Sequence, residues 1–397
     1  MTNEKAPAGD HLSAGMILLM AFACGAMVAN LYYAQTLIDE IGPEIGLSKS
    51  LAGMIVTLTQ LGYGLGLFLL VPLGDLFENR RLALLMTGGT FLGSLGVALS
   101  QGSVEFLAAS LITGVCATGA QILLPLASHL TVPTRQGRTI GQIMSGLLAG
   151  IMLARPLASF MTGIFGWRSV YFLSAGLTAL IGLALAFTLP RRLPTGEKSY
   201  GAILASMVLL AQKHRQLQLR AFYQAAMYTT FNIFWTAAPL VLLRRFNFTQ
   251  NDVALFALAG AGGALAAPIA GSLADRGMTR LTTWIAHALL IICFLAADAV
   301  VAAGSVIAFV VTALLIDAAV QLNQITSQKI IFDISEEARG RINSIYLTSM
   351  FGIGASGSLI GSASFEAGGW LLTTALGAAI AALSFLVFLL CDRRKKS

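Results

Sequence analysis

Two ionisable side chains sit inside long apolar stretches of this chain. Asp317 lies in Thr-Ala-Leu-Leu-Ile-Asp317-Ala-Ala-Val-Gln321-Leu-Asn-Gln324, and Arg155 in Ala154-Arg155-Pro156. An ionisable group surrounded by hydrocarbon is costly, so it faces a water-filled cavity or a partner. A carboxyl there is suited to carrying a proton, since it is uncharged when protonated and tolerates charge beside a cation. Arg155 could bind a carboxylate, act as a coupling cation, or snorkel to the membrane surface. Asp317, Gln321, Gln324 and Gln328 follow at i, i+4, i+7 and i+11, within about 60° on one helical face. A polar stripe of that depth lines an aqueous cavity. Other apolar stretches carry similar stripes: Gly114, Thr118, Gln121 and Pro125; Asn30 and Tyr33; Tyr228, Asn232 and Trp235. Tyr32 and Phe231 add aromatic surface.

Other chemistries find no support in the sequence. His129, His214 and His287 fit no metal-ligand spacing. Cys24, Cys116, Cys293 and Cys391 are scattered and read as small buried hydrophobes. No nucleotide-binding motif is present, and no catalytic cluster of the kind a membrane-embedded enzyme needs. The expectation is a non-enzyme with no cofactor and no metal.

The elements that position these residues are membrane-spanning helices. Of the 397 residues 56% are hydrophobic and only 11% charged, and the mean hydropathy is +0.79, whereas soluble domains run near a quarter charged. Spans of about twenty apolar residues fall near 14–36, 51–74, 82–100, 104–131, 139–163, 169–189, 219–242, 253–273, 281–302, 305–327, 341–363 and 370–390. Helices are required because they satisfy their own backbone in lipid, and the short alternating segments of a barrel are missing.

The net charge of +7 sits at helix ends and is no nucleic-acid signal. Roughly twenty of the 25 Lys and Arg fall in cytoplasmic segments if the N-terminus is inside. Lys49, Arg168, Arg244 and Arg245 fall outside, the last two being the clear exception. That bias predicts a multi-pass protein of a bacterial inner membrane with both termini cytoplasmic. The start, Met1 to Ser13, is short and polar, and the apolar run that follows reads as too long for a signal peptide. At a rise of about 1.5 Å per residue, Arg155 is about 24 Å and Asp317 about 20 Å from the cytoplasmic ends of their helices. A pair between them at similar depth is therefore open.

The chain repeats itself. Val71-Pro-Leu-Gly-Asp75 before Arg80-Arg81 recurs as Gly271-Ser-Leu-Ala-Asp275-Arg276-Gly277 before Arg280. Arg135-Gln-Gly-Arg138 recurs as Arg339-Gly-Arg341, and Gly166-Trp167 as Gly369-Trp370. Asn30 and Tyr33 match Asn232 and Trp235. Residues 1–190 and 219–397 read as two six-helix bundles, with 191–218 as a cytoplasmic linker. A carboxylate at a helix end caps N–H groups and pairs with nearby Arg. Asp75, Arg80, Arg81, Arg138, Asp275, Arg276 and Arg341 are thus candidates for a conformational latch. Gly62/Gly66, Gly146/Gly150 and Gly357/Gly361 read as close-packing pairs.

The two Asp loops resemble the loop signature of the major facilitator superfamily, Gly-x-Leu-Ala-Asp-Arg-x-Gly-Arg-Arg, between helices 2–3 and 8–9. The second copy keeps Gly271, Leu273, Ala274, Asp275, Arg276 and Gly277. The first keeps Asp75, Arg80 and Arg81 and carries Val71, Leu76 and Glu78 at other signature positions. The resemblance covers essentially the whole chain. It implies an all-α membrane protein of twelve transmembrane helices in two pseudo-symmetric bundles, with helices 1, 4, 7 and 10 lining a central cavity. The fifth span is similar to that of the drug–proton antiporters through Gly146, Gly150, Pro156 and Gly166-Trp167-Arg168. It carries Ala154-Arg155-Pro156 in place of Gly-Pro, and the fourth span has Ser110 and Leu111 where those antiporters carry an Arg.

The expected function is alternating-access transport of a small organic solute, driven by protons and directed outward. The partners are the solute, protons and membrane lipid, and the chain acts as a monomer. Asp317 and Arg155 are the coupling candidates; Asn30, Tyr33, Gln121, Tyr228, Asn232, Trp235, Gln321 and Gln324 are the cavity candidates. Proton-coupled uptake of an organic acid is the alternative, and a non-transporting receptor the remote one.

Overall fold

The computed structural model describes residues 12–132, 135–191, 199–263 and 266–392. The polar start up to residue 11, Arg192 with the linker up to residue 198, and the tail Arg393 to Lys396 lie outside the described residues.

All regular elements among the described residues are helices. The first half holds α1 (Ala14–Ala29), α2 (Ile38–Glu44), α3 (Met54–Leu69), α4 (Asn79–Leu99), α5 (Ser103–Ala117), α6 (Gly119–His129), α7 (Gln136–Phe165) and α8 (Arg168–Thr188). α9 (Tyr200–Lys213) connects the halves. The second half holds α10 (Arg215–Arg245), α11 (Gln250–Gly263), α12 (Ala266–Asp275), α13 (Thr279–Ala302), α14 (Val306–Phe332), α15 (Arg339–Gly354) and α16 (Ser356–Cys391).

Among the described residues nine helical stretches are long and apolar enough to cross a membrane. One, Arg339–Cys391, holds two expected spans and folds back at Gly368–Gly369. The expected first span is α1 with a 3-10 turn at Tyr33–Thr36, and the eighth is α11 with α12. Among the described residues all twelve expected spans are thus built of helix.

The first span is not one continuous helix, and Asn30 accounts for the break. Its side-chain amide donates to the Ala26 and Met27 carbonyls at 3.0 and 3.3 Å, which ends α1 through a local side-chain bond. The fourth span breaks at Thr118, whose hydroxyl donates to the Val115 carbonyl at 2.7 Å. The repeated Gly-Trp pair makes two like corners. Gly166 and Gly369 have φ of +78° and +66°, which glycine adopts without steric cost. Trp167 then donates to Glu44 at 3.0 Å and Trp370 to the Ala297 carbonyl at 3.1 Å.

The packing pairs recur between halves. α1 lies on α7 as α10 lies on α16, α3 on α5 as α12 on α14, and α4 on α5 as α13 on α14. The close approaches use glycine: a Cβ on Gly150 would strike Gly25 backbone, and one on Gly357 the Thr229 carbonyl. Between halves, α3 packs on α15 and α7 on α11.

Candidate functional site

Arg155 and Asp317 meet at the boundary between the halves. Arg155, on α7, has Nη1 3.9 Å from Asp317 Oδ2 on α14, with 4% and 6% of their surfaces exposed. The guanidinium stacks over Trp235 at 4.1 Å and Phe231 at 5.0 Å from the ring centres, with Tyr32 at 5.5 Å. The negative ring faces supply the cation with attraction that hydrocarbon alone would not. Trp235 Nε1 donates to Asp317 Oδ1 at 2.6 Å, so the carboxylate is held by a cation and by a neutral donor. Asp317's remaining lone pairs are open to a proton.

α11 makes room for the pair. A Cβ on Gly260 would lie 2.6 Å from Trp235, 2.8 Å from Asp317 and 2.9 Å from Arg155. A Cβ on Gly263 would collide with that of Asp317. Glycine is required here by close approach rather than by backbone angle.

A chain of amides extends from the pair. Arg155 Nε donates to Gln35 Oε1 at 2.8 Å, and Gln35 Nε2 donates to Asn232 Oδ1 at 2.7 Å. Asn232 Nδ2 donates to Gln60 Oε1 at 2.7 Å and to the Gly354 carbonyl at 3.0 Å. That carbonyl is at the break between α15 and α16. Tyr228 and Tyr32 hydroxyls meet at 3.1 Å. Three helices of the first half and three of the second therefore join at one buried polar node.

Of the expected cavity residues, Tyr228, Asn232 and Trp235 join this node. Gln121 donates to the Tyr63 hydroxyl at 3.2 Å. The half-buried Gln321 and Gln324 side chains find no hydrogen-bond partner among the described residues, which leaves them available to a solute or water. Asn30 and Tyr33 are corrected: both turn into the first bundle. Asn30 accepts from Ser94 at 3.1 Å and Ser174 at 2.8 Å, and Tyr33 packs edge-on against Tyr171. The unwinding after Ala29 rotates Tyr32 and Gln35 to the centre instead. Gln35 and Gln60 escaped the sequence reading, because no stripe or repeat partner marks them.

The expected latch residues do not come together. Asp75 is exposed and has no hydrogen-bond or ion-pair partner among the described residues; Asp275 pairs with Lys329 at 2.9 Å within its own half. Arg80 donates to the Ala186 carbonyl, Arg81 pairs with Glu78 at 2.9 Å, and Arg341 donates to Ser206 of α9 at 2.8 Å. Arg276 and Arg138 are exposed and unpaired among the described residues.

A clamp stands at the other end of the bundle. Arg244 pairs with Asp39 and, at 2.5 Å, with Glu366. The Gly53 N–H donates to Ser362 Oγ at 3.0 Å, and Thr57 Oγ1 donates to the Ala355 carbonyl at 2.8 Å. Glu44, on the same end, accepts from Arg168 at 2.5 Å. The Arg168 guanidinium and then the Trp167 indole hold its carboxyl below the usual carboxylate range. At the Asp75 and Asp275 end the halves are linked through α9, where Tyr200 donates to the Leu69 carbonyl at 2.7 Å.

A duplicated chain of twelve helical spans with a buried ion pair between its halves invites comparison with known proteins. The sequence profile of the Major Facilitator Superfamily matches residues 15–296 and 220–397. The chain belongs to the Major Facilitator Superfamily. The uncharacterized transporter YgaY of Escherichia coli O157:H7 is 40% identical over 379 residues, spanning 95% of this chain and 96% of YgaY. The purine ribonucleoside efflux pump NepI of Salmonella enteritidis is 22% identical over 191 residues, 46% of each protein. The fold is similar to that of the xylose transporter XylE from E. coli in a partially occluded inward-open conformation, with a TM-score of 0.74 and 13% identity over 96% of this chain and 98% of XylE. As a superfamily member the chain is a multi-pass membrane transporter and not an enzyme.

Proposed function

We propose that this transporter exports a small organic solute in exchange for protons, with Asp317 as the proton carrier and Arg155 as its counter-charge. One observation carries the reading: a buried acid and a buried arginine face each other across the boundary between the halves, 3.9 Å apart. With Asp317 charged, the attraction and the amide node hold the centre closed. A proton on Asp317 removes the attraction and frees the two halves, residues 1–190 and 219–397, to rock about the centre while 191–218 tethers them. Solute enters beside Tyr228, Asn232, Trp235, Gln121, Gln321 and Gln324. Both partners of the ion pair come from one chain, which supports a monomer as the working unit.

The positive-inside bias favours a bacterial inner-membrane placement with both termini cytoplasmic. In that placement the Arg244 clamp is periplasmic, and the structure is an inward-facing state. The unpaired Asp75 and Arg276 are then latch residues waiting for the outward-facing state. Export is chosen over uptake on the likeness of the fifth span to drug–proton antiporters and of half the chain to a nucleoside efflux pump. Uptake of an organic acid is the second reading. It is favoured by the gap between Arg155 Nη1 and Asp317, which leaves the outer guanidinium nitrogens for a solute carboxylate.

The test is Asp317→Asn in proteoliposomes. Asparagine keeps an acceptor for Trp235 but cannot carry a proton. We expect pH-gradient-driven transport to vanish while solute counterflow persists. Transport still driven by the gradient in this variant refutes the assignment. Solute-induced collapse of a ΔpH in everted vesicles distinguishes export from uptake.

A further inference from the structure

A groove of about 920 Å³ runs between α1, α7 and α8 and is lined by first-half residues. Its upper walls are apolar and largely exposed, with Leu18, Phe22, Leu153 and Leu157 prominent. Its mouth is different. Arg135 and Arg138 stand there, both exposed, and neither has a hydrogen-bond or ion-pair partner among the described residues. They sit at the start of α7, a 30-residue helix whose N-cap offers no side-chain acceptor to the first-turn N–H groups. Two unpaired guanidinium groups and the positive end of a long helix dipole make one anion site. From Arg138 to Leu153 the helix rises by about 22 Å, enough to cover an acyl chain within one leaflet of a hydrocarbon core about 30 Å thick.

We propose that this groove binds one anionic phospholipid, its phosphate between Arg135 and Arg138 and one acyl chain along the Leu18, Phe22 and Leu153 wall. The head end faces the leaflet that holds the start of α7, the cytoplasmic one in the topology adopted above. The net charge of the head group decides the choice. Phosphatidylcholine brings its own cation to a mouth already rich in cations, whereas phosphatidylglycerol does not. Gly25, Gly146 and Gly150, at the backbone contact of α1 with α7, also line the groove. The lipid therefore lies along the same two helices that lead to Gln35 and Arg155.

The purified full-length chain, delipidated in detergent, is titrated with phosphatidylglycerol, with phosphatidylcholine of the same chains, and with glycerol 3-phosphate. Native mass spectrometry counts bound molecules. One phosphatidylglycerol is expected to be retained at least about tenfold more tightly than phosphatidylcholine, with no retention of glycerol 3-phosphate. The double variant R135Q/R138Q is expected to lose that preference. Ala149→Trp, which fills the groove and leaves both arginines, is expected to lose the lipid without a change in melting temperature. Equal retention of the two lipids by the unmodified chain overturns the proposal, as does undiminished preference in R135Q/R138Q. Retention of glycerol 3-phosphate overturns it too, by reducing the site to one for a soluble phosphate. If Ala149→Trp does not fold, the arginine variant and the three ligands still decide.

Discussion

Arg155 uses its donors unevenly: Nε is committed to Gln35, while Nη1 stands 3.9 Å from Asp317. Three aromatic neighbours also hold the cation, each contact worth about 0.5–2 kcal/mol depending on burial. Space is the other requirement, and it comes from α11. Gly260→Val places two methyl groups and a Cβ where Trp235, Asp317 and Arg155 already lie within 2.9 Å of an added Cβ. We expect it to cut transport at least about tenfold while the protein still inserts and binds detergent as a monomer, because overpacking costs about 1–3 kcal/mol. Solute uptake into vesicles at matched protein levels checks this. Asp317 and Arg155 were legible in the sequence because charge in an apolar run is conspicuous. Gln35 and Gln60 were not, since a single glutamine in a span carries no such signal and only the fold shows what it meets.

At the scale of elements, the breaks matter more than the helices. Twelve spans follow from hydropathy, but the unwinding after Ala29 depends on which carbonyls the Asn30 amide reaches. That choice turns Asn30 and Tyr33 into the first bundle and brings Gln35 to the centre beside Tyr32. The corner between α7 and α8 has its own consequence. Glu44 of α2 accepts from Arg168 and Trp167, and its carboxyl is held below the usual range. A group with a depressed folded value adds stability above its unfolded value and loses it as pH falls through the folded one. Glu44→Gln is therefore expected to lower the melting temperature by about 1–2 °C near neutral pH. The difference should close as the solution is acidified below the ordinary carboxylate range. A gap that stays constant with pH would show that Glu44 acts by packing alone.

For the whole molecule, the repeat in the sequence foretold the two-fold packing, and the corners at Gly166 and Gly369 show it in the backbone. The sequence did not reveal which end is closed, because both ends carry acids and arginines, and only the fold shows that Arg244 pairs across the halves while Arg81 and Asp275 pair within their own. Arg244, paired with Asp39 and Glu366, marks the closed end. Arg244→Ala is expected to raise labelling of the centre by impermeant thiol reagents added on the Arg244 side of the membrane roughly threefold, a shift that fits the modest worth of half-exposed ion pairs. A single cysteine at Tyr228 in a cysteine-free background would report it. Cysteines at Thr57 and Ala355, whose side-chain and main-chain oxygens lie 2.8 Å apart, are expected to stop turnover when bridged by a short bifunctional thiol reagent. Breaking the bridge should restore it; full turnover while bridged would mean that this end does not open.

Asn232 makes four side-chain contacts in the centre, accepting from Gln35 and Gln60 and donating to Gln60 and the Gly354 carbonyl. Water in an opened cavity can replace each of these bonds, so the opened and closed arrangements differ little in hydrogen-bond count. They must nevertheless all be undone before the first water enters. The node then acts as an activation barrier more than as a thermodynamic anchor, and its signature is a steep dependence of turnover on temperature at nearly unchanged solute affinity.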